Sequence, residues 1–254
     1  MPTDQYRINV TWGNREDALS QCAECLARTL EDLFHLEPSL NTWYELGFNR
    51  KKALQKFITA SDAQELLRLL EASQQAQIRA SGNRKLGASL ALWTGQSDTE
   101  SSRLSVICGL TAGDINTPLR NSINIVLPAS GAVRERMKDV NWLAAVLGKL
   151  VERWRPDKGG IYSSFQTARQ RNMEGNWISW VSFIAGPPDR LQAAIGESAE
   201  VIPLENWGSL LRALQEPFNY KNEDHWRILE SLQQAVLRSG LDQFSINAKF
   251  PLAC

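Results

Sequence analysis

Few side chains in this sequence are able to do chemistry, and their spacing limits what they can do. His35 and His225 are its two histidines. A histidine works as a general base beside a nucleophile, with a further group to orient it. His35 closes a helical pattern, where imidazoles meet free backbone carbonyls. His225 opens another helical pattern beside Asp224, and no motif of the GxSxG kind stands near either. Both are expected to be structural. The tetrapeptide CAEC, residues 22 to 25, has the letters of a CxxC motif. A redox pair needs its first thiol at a helix N-terminus, whereas this pair lies inside a helical pattern with Cys22 among leucines. Zinc would need two further ligands, and no second CxxC or HxxxH follows. The expectation is buried small residues, with no metal and no cofactor.

Phosphate-binding loops of the GxxxxGK[ST] or GxGxxG type are missing from the sequence. Pro156-Asp157 has the letters that open the metal site of restriction-type nucleases. That site also needs an acidic-x-Lys tripeptide on the next strand, and IYSSFQTARQ does not contain one. Carboxylates that meet only in three dimensions would still make a glycosidase-type pair, so an enzyme of unfamiliar type stays an alternative.

The acidic residues have a clearer pattern as contacts. Asp17, Glu24 and Glu31 recur every seven residues, which puts them near one face of a helix, with Arg28 as a basic interruption. Asp98 and Glu100 lie in the polar loop GQSDTESS. Among nine tryptophans, Trp43 and Trp207 fall beside loops or element ends and are candidate partner anchors, with core packing as the other reading.

These residues must be positioned by regular elements. In QYRINVTWG, Tyr6, Ile8 and Val10 alternate with polar residues, as in a half-buried strand. A helix is expected from about Arg15 to Leu36, buried along Leu19, Cys22, Leu26, Leu30 and Leu33 and stopped by Pro38. NTWYELG reads as a short strand, and SDAQELLRLLEASQQA as a helix capped by Ser61 or Asp62. Three strands, within 85–95, 102–112 and 121–129, are separated by polar turns like an antiparallel meander. Apolar spacing predicts a helix from Val140 to Trp154, then a turn at PDKGG and a strand around Ile161. GNWISWVSFIAGPP predicts an interior strand over 176–185, with Trp177 and Trp180 on opposite covered faces. A short helix near Leu191, strands at 200–204 and in WGSLLRALQEPF, and a helix from Asn222 to Gly240 complete the pattern.

The predicted class is α+β, a mostly antiparallel sheet flanked by helices, in one domain over 1–254. The pattern admits two similar halves, 1–139 and 140–254, packed together. Twenty-eight basic and twenty-eight acidic residues cancel, which removes any electrostatic case for nucleic acid or an anionic membrane. No apolar run approaches membrane-spanning length, no signal-peptide pattern opens the chain, and the four cysteines are too sparse for a disulfide scaffold. A cytoplasmic location is expected.

RINVTWG at the start, NWLAAVLGKLVERWRPDKGGIYS in the middle and GSLLRALQEPFNYKNEDHWRILESLQQAVLRSGL near the end resemble the immunity protein 52 family, over about 6–241. The resemblance implies a bacterial protein that binds and neutralises a cognate toxin without turnover. That toxin would be a nuclease of restriction-endonuclease type, delivered by contact or by type VI secretion. The candidate contacts Asp17, Glu24, Glu31, Trp43, Asp98, Glu100 and Trp207 would then face the toxin. A general adaptor or chaperone is the remaining alternative.

Overall fold

A computed structural model describes residues 4–47, 49–59, 62–111, 120–170, 178–205 and 208–241. Within these, the order is β1 (Tyr6–Trp12), α1 (Leu19–Leu36), β2 (Trp43–Glu45), α2 (Arg50–Ala53), β3 (Phe57–Ile58), α3 (Ala63–Ser81), β4 (Ala88–Trp93), β5 (Arg103–Cys108) and β6 (Asn121–Val126). Then follow α4 (Ala132–Arg136), α5 (Val140–Trp154), β7 (Lys158–Ser163), α6 (Ser164–Gln170), β8 (Val181–Ile184), α7 (Pro188–Ile195), β9 (Glu200–Leu204), β10 (Gly208–Arg212) and α8 (Glu223–Ser239). The strands form one ten-stranded sheet in the order β3-β2-β4-β5-β6-β1-β7-β8-β10-β9. Every pairing is antiparallel, so the fold is α+β. Strands from residues 1–139 occupy one side of the β1–β7 junction and those from 140–254 the other.

The alternation in β1 sets the layers. Ile8 and Val10 are fully buried, in register with Ile125 and Ile123 of β6, and α1 and α5 pack on that face. The two helices are tied by polar contacts as well as by leucines. The Trp154 indole N–H donates to Thr29 Oγ1 at 2.8 Å, Trp142 donates to Leu36 O at 3.0 Å, and Arg153 pairs with Asp32 at 2.8 Å. β2 reaches only the end of β4, and α3 closes the edge that remains. There the Ser89 N–H donates to Ser73 Oγ at 3.2 Å, a side chain standing in for a neighbouring strand. Asp62 caps α3 by accepting from Glu65 N at 3.0 Å.

Three expectations are corrected. Helix α1 begins at Leu19 and not near Arg15. Arg15 and Asp17 are held by each other and by the end of α5, which keeps their backbone out of the helix. The strand expected over 176–185 is β8 alone, four residues long with every residue buried. Trp177 lies outside the described residues. Ser179 ahead of β8 turns the chain, with its N–H donating to Ser182 Oγ at 2.8 Å and its hydroxyl to Val181 O at 2.7 Å. Trp180 is buried as expected.

The third correction concerns PDKGG, whose Lys158, Gly159 and Gly160 begin β7 rather than a turn. A Cβ on Gly159 would stand 2.8 Å from Val10 Cγ1, and one on Gly160 would stand 2.6 Å from Ser179 Oγ. Glycine lets α5 and the Ser179 turn close on opposite faces of this strand.

Candidate partner-binding surface

The acidic series does not survive as a stripe. Asp17 precedes α1 and is buried, with Arg15 Nε donating to its two carboxylate oxygens at 2.7 and 2.8 Å. The same guanidinium lies over the Trp12 ring, 5.2 Å from its centroid. It also donates to Trp154 O at 3.0 Å and Arg155 O at 3.2 Å, capping the free carbonyls of α5. Asp17 is thus a positioning residue for a helix cap. Burial and the charge of Arg15 both lower the pKa of Arg155. Glu24 is exposed, and Glu31 is half-exposed and paired with Arg28 at 3.3 Å.

Trp43 is 0% exposed, its N–H donating to Leu40 O at 3.0 Å, so the ring belongs to the core and is closed to a partner. Trp207 lies outside the described residues. Asp98 and Glu100 are exposed in the β4–β5 loop, with Glu100 accepting from Ser97 Oγ at 2.8 Å.

The groups expected to be structural have partners. His225 is buried, with Nδ1 accepting from Asn219 N–H at 3.0 Å and Nε2 2.9 Å from Glu216 Oε1. His35 is exposed against Phe34, ring centroids 5.6 Å apart. CAEC is not a thiol pair. Cys25 is disulfide-bonded, while the buried Cys22 and Cys108 are free. The hydrogen bond to Cys22, aided by burial, pushes the Cys108 thiol pKa up. Among the described residues no three His, Cys, Asp or Glu side chains gather as a metal site, and no helix is long and apolar enough to cross a membrane.

What the sequence reading missed is an exposed apolar corner. Phe34, Leu46, Leu54 and Phe57 are the exposed large hydrophobic residues among those described, at 41, 45, 40 and 53%. Phe57 sits on β3, the sheet's edge. A groove of about 370 Å³ beside it is lined by Leu30, Glu31, Phe34, His35, Phe57 and others. The opposite edge, β9, contains Pro203 and Glu200, devices that blunt an open edge. The β3 edge instead presents an aromatic ring. Single exposed apolar residues mean little, but several around one edge mark an interaction site.

A second surface adjoins this corner. Strand register places Phe57, Tyr44, Trp93, Arg103, Val126, Arg7 and Tyr162 in one row across seven strands. This row lies on the face turned away from α1 and α5, since its neighbours Ile8, Ile125 and Leu104 point into the core. Tyr44 links the aromatic end, 5.9 Å from Phe57 and 6.2 Å from Trp93 between centroids. The next row is Ala91, Ser105, Asn124, Asn9 and Gly160. A depression of about 400 Å³ on this face is lined by Arg7, Asn9, Asn124, Tyr162 and Thr167. Burial pushes the Tyr162 phenol pKa up. Over β8 and β10 the same face is closed, with Ser182, Ser209 and Leu211 buried.

In the solved structures, the Pseudomonas aeruginosa T6SS protein PA0821 is similar in fold, with a TM-score of 0.54 and 11% sequence identity. The match covers 92% of this chain and 73% of that one. No curated protein matches at comparable significance. The family model described as Immunity protein 52 matches residues 4–244, nearly the full sequence. This chain therefore belongs to the immunity protein 52 family.

Proposed function

We propose that this protein binds a cognate bacterial toxin, a nuclease of restriction-endonuclease type delivered by type VI secretion, and neutralises it by stoichiometric complex formation without turnover. The observation that carries the reading is the family match over residues 4–244. The structural neighbour is a T6SS protein, which supports the delivery route.

The physical part of the proposal is where the toxin sits. The β3 edge, with Phe34 and Phe57 flanking a groove, supplies apolar anchors of the type that dominate protein interfaces. Glu31 lies on the same groove, with Glu24 one heptad away on α1 and Asp98 and Glu100 in the loop after β4. A nuclease must attract phosphate and so carries basic surface. Carboxylates around the apolar anchors steer such a surface toward the edge.

The test is co-expression with a nuclease toxin encoded beside the gene. Wild-type protein is expected to rescue growth and to co-elute with the toxin in a fixed ratio while suppressing cleavage of added DNA or RNA. Growth arrest despite ample folded protein, with no complex on gel filtration, would overturn the reading.

A further inference from the structure

We propose that the face of β5, β6 and β1 turned away from α1 and α5 is a docking surface for a carboxylate-bearing segment of the toxin, held by Arg7 and Arg103. This rests on the immunity reading and names the surface through which that function would act.

Arg7 and Arg103 are both exposed, in one cross-strand row on either side of Val126. Neither makes an ion pair or side-chain hydrogen bond among the described residues, although other arginines of the fold are engaged. Arg15, Arg153 and Arg169, for example, all hold carboxylates. Two strand steps separate the pair, about 10 Å at the usual interstrand spacing. The two rows around them carry no acidic side chain. Two like charges are thus fixed on a rigid sheet with no internal counter-ion, which costs the free protein some repulsion and favours an anionic visitor.

The floor beside Arg7 suits a carboxylate. Arg7 lines the 400 Å³ depression with Asn9, Asn124, Tyr162 and Thr167. The Asn9 amide already donates to Ile123 O at 3.3 Å, and the Thr167 hydroxyl to Ser163 O at 3.0 Å. Among the described residues the Asn124 amide makes no such bond. A guanidinium and an amide N–H at one depression match a carboxylate's paired oxygens, since such charge-assisted bonds are the strong ones.

The surface lies on the same sheet face as the aromatic residues near the apolar edge. From Phe57 to Arg7 the row takes five strand steps, about 24 Å. The buried Trp93 separates Tyr44 from Arg103, so the arginine pair is a contact area distinct from the β3 edge.

The experiment measures binding kinetics of the neighbouring toxin, in catalytically inactive form, to wild type, R7Q/R103Q, R7E/R103E and the control E197K, in the exposed turn after α7. Thermal melts confirm that each variant is folded. The expected result is a dissociation rate raised about tenfold by R7Q/R103Q, and further by R7E/R103E, with E197K dissociating as wild type. Dissociation of R7E/R103E at the wild-type rate would overturn the proposal. Equal effects of the Gln and Glu pairs would overturn the acidic partner. Binding of labelled DNA or RNA by wild type and its loss in R7E/R103E would assign the surface to nucleic acid instead. Failure of wild type to bind the toxin at all would remove the immunity reading itself, a different result from each of these.

Discussion

Arg15 and Asp17 form a buried ion pair in which one guanidinium nitrogen, Nε, donates to both carboxylate oxygens. The remaining nitrogens of Arg15 cap α5 through Trp154 O and Arg155 O. Asp17 therefore acts on the fold through Arg15. Asp17→Asn leaves a buried guanidinium without its counter-charge and is expected to cost about 3–5 kcal/mol in urea unfolding. Toxin affinity of the folded fraction should be unchanged, because Asp17 offers no surface. A loss below about 1 kcal/mol, within the usual range of a surface substitution, would show the pair to be dispensable.

The contrast between Asp17 and Glu24 shows where sequence reading stops. A spacing of seven places residues on one helical face only if both belong to the helix, and the long-range pull of α5 on Arg15 shortened it. Elements with strong local signals were legible. Val140 to Trp154 has the predicted bounds, and the 120s strand, the Asp62 cap and the Gly240 stop are where the residues put them. For Trp43 the core-packing reading holds and the anchor reading does not, a choice that a loop-adjacent position cannot make because it says nothing about what packs over the ring. Here the ring is fully buried and its N–H is satisfied three residues back. The docking residues were hidden for a different reason. Arg7 and Arg103 stand in the polar half of strand alternations, and only the register across β1, β6 and β5 brings them into one row.

The Tyr6 phenol gives a pH prediction. Burial, then the nearby Asp4 carboxylate, raises its pKa to about 12, and its hydroxyl donates to Phe218 O at 2.9 Å. The folded state therefore holds this proton more tightly than the unfolded state, where the pKa is near 10.0. Its contribution to stability is complete below the unfolded value and is lost as pH rises through the folded one. The urea midpoint should fall between about pH 10 and about pH 12. Tyr6→Phe should lower stability by about 0.5–1.5 kcal/mol at neutral pH, for the lost hydrogen bond, and flatten that alkaline slope. Some slope should persist, because burial also raises Tyr162. An unchanged slope in Tyr6→Phe would assign the alkaline loss elsewhere.

Phe34 and Phe57 separate anchoring from folding. Both are about half exposed and flank one groove, so replacing them removes less buried area from the free protein than replacing a core aromatic would. Phe34→Ser with Phe57→Ser should leave the urea midpoint near wild type, within about 0.5 kcal/mol for each site. Toxin affinity should fall at least about tenfold, equivalent to about 1.4 kcal/mol, as expected for aromatic anchors at an interface centre. Calorimetric titration of the inactive toxin reads the affinity directly. Equal affinity in the double variant would move the anchor away from the β3 edge.

Glu24 and Glu31 should act on a different step. Glu24 is exposed, and Glu31 sits on the groove rim with its partner Arg28 also in solvent, so neither charge is deeply desolvated. Charges in such positions contribute little to holding a complex but raise the rate at which an oppositely charged surface arrives. Reversal by Glu24→Lys and Glu31→Lys is therefore expected to slow toxin association several-fold at low salt and to leave dissociation unchanged. The difference should shrink as ionic strength approaches physiological values, where the screening length is about 8 Å. Surface binding measured across a salt series distinguishes the outcomes. Association that stays at the wild-type rate at every ionic strength would mean that the remaining α1 acids are solvated side chains with no part in steering a toxin.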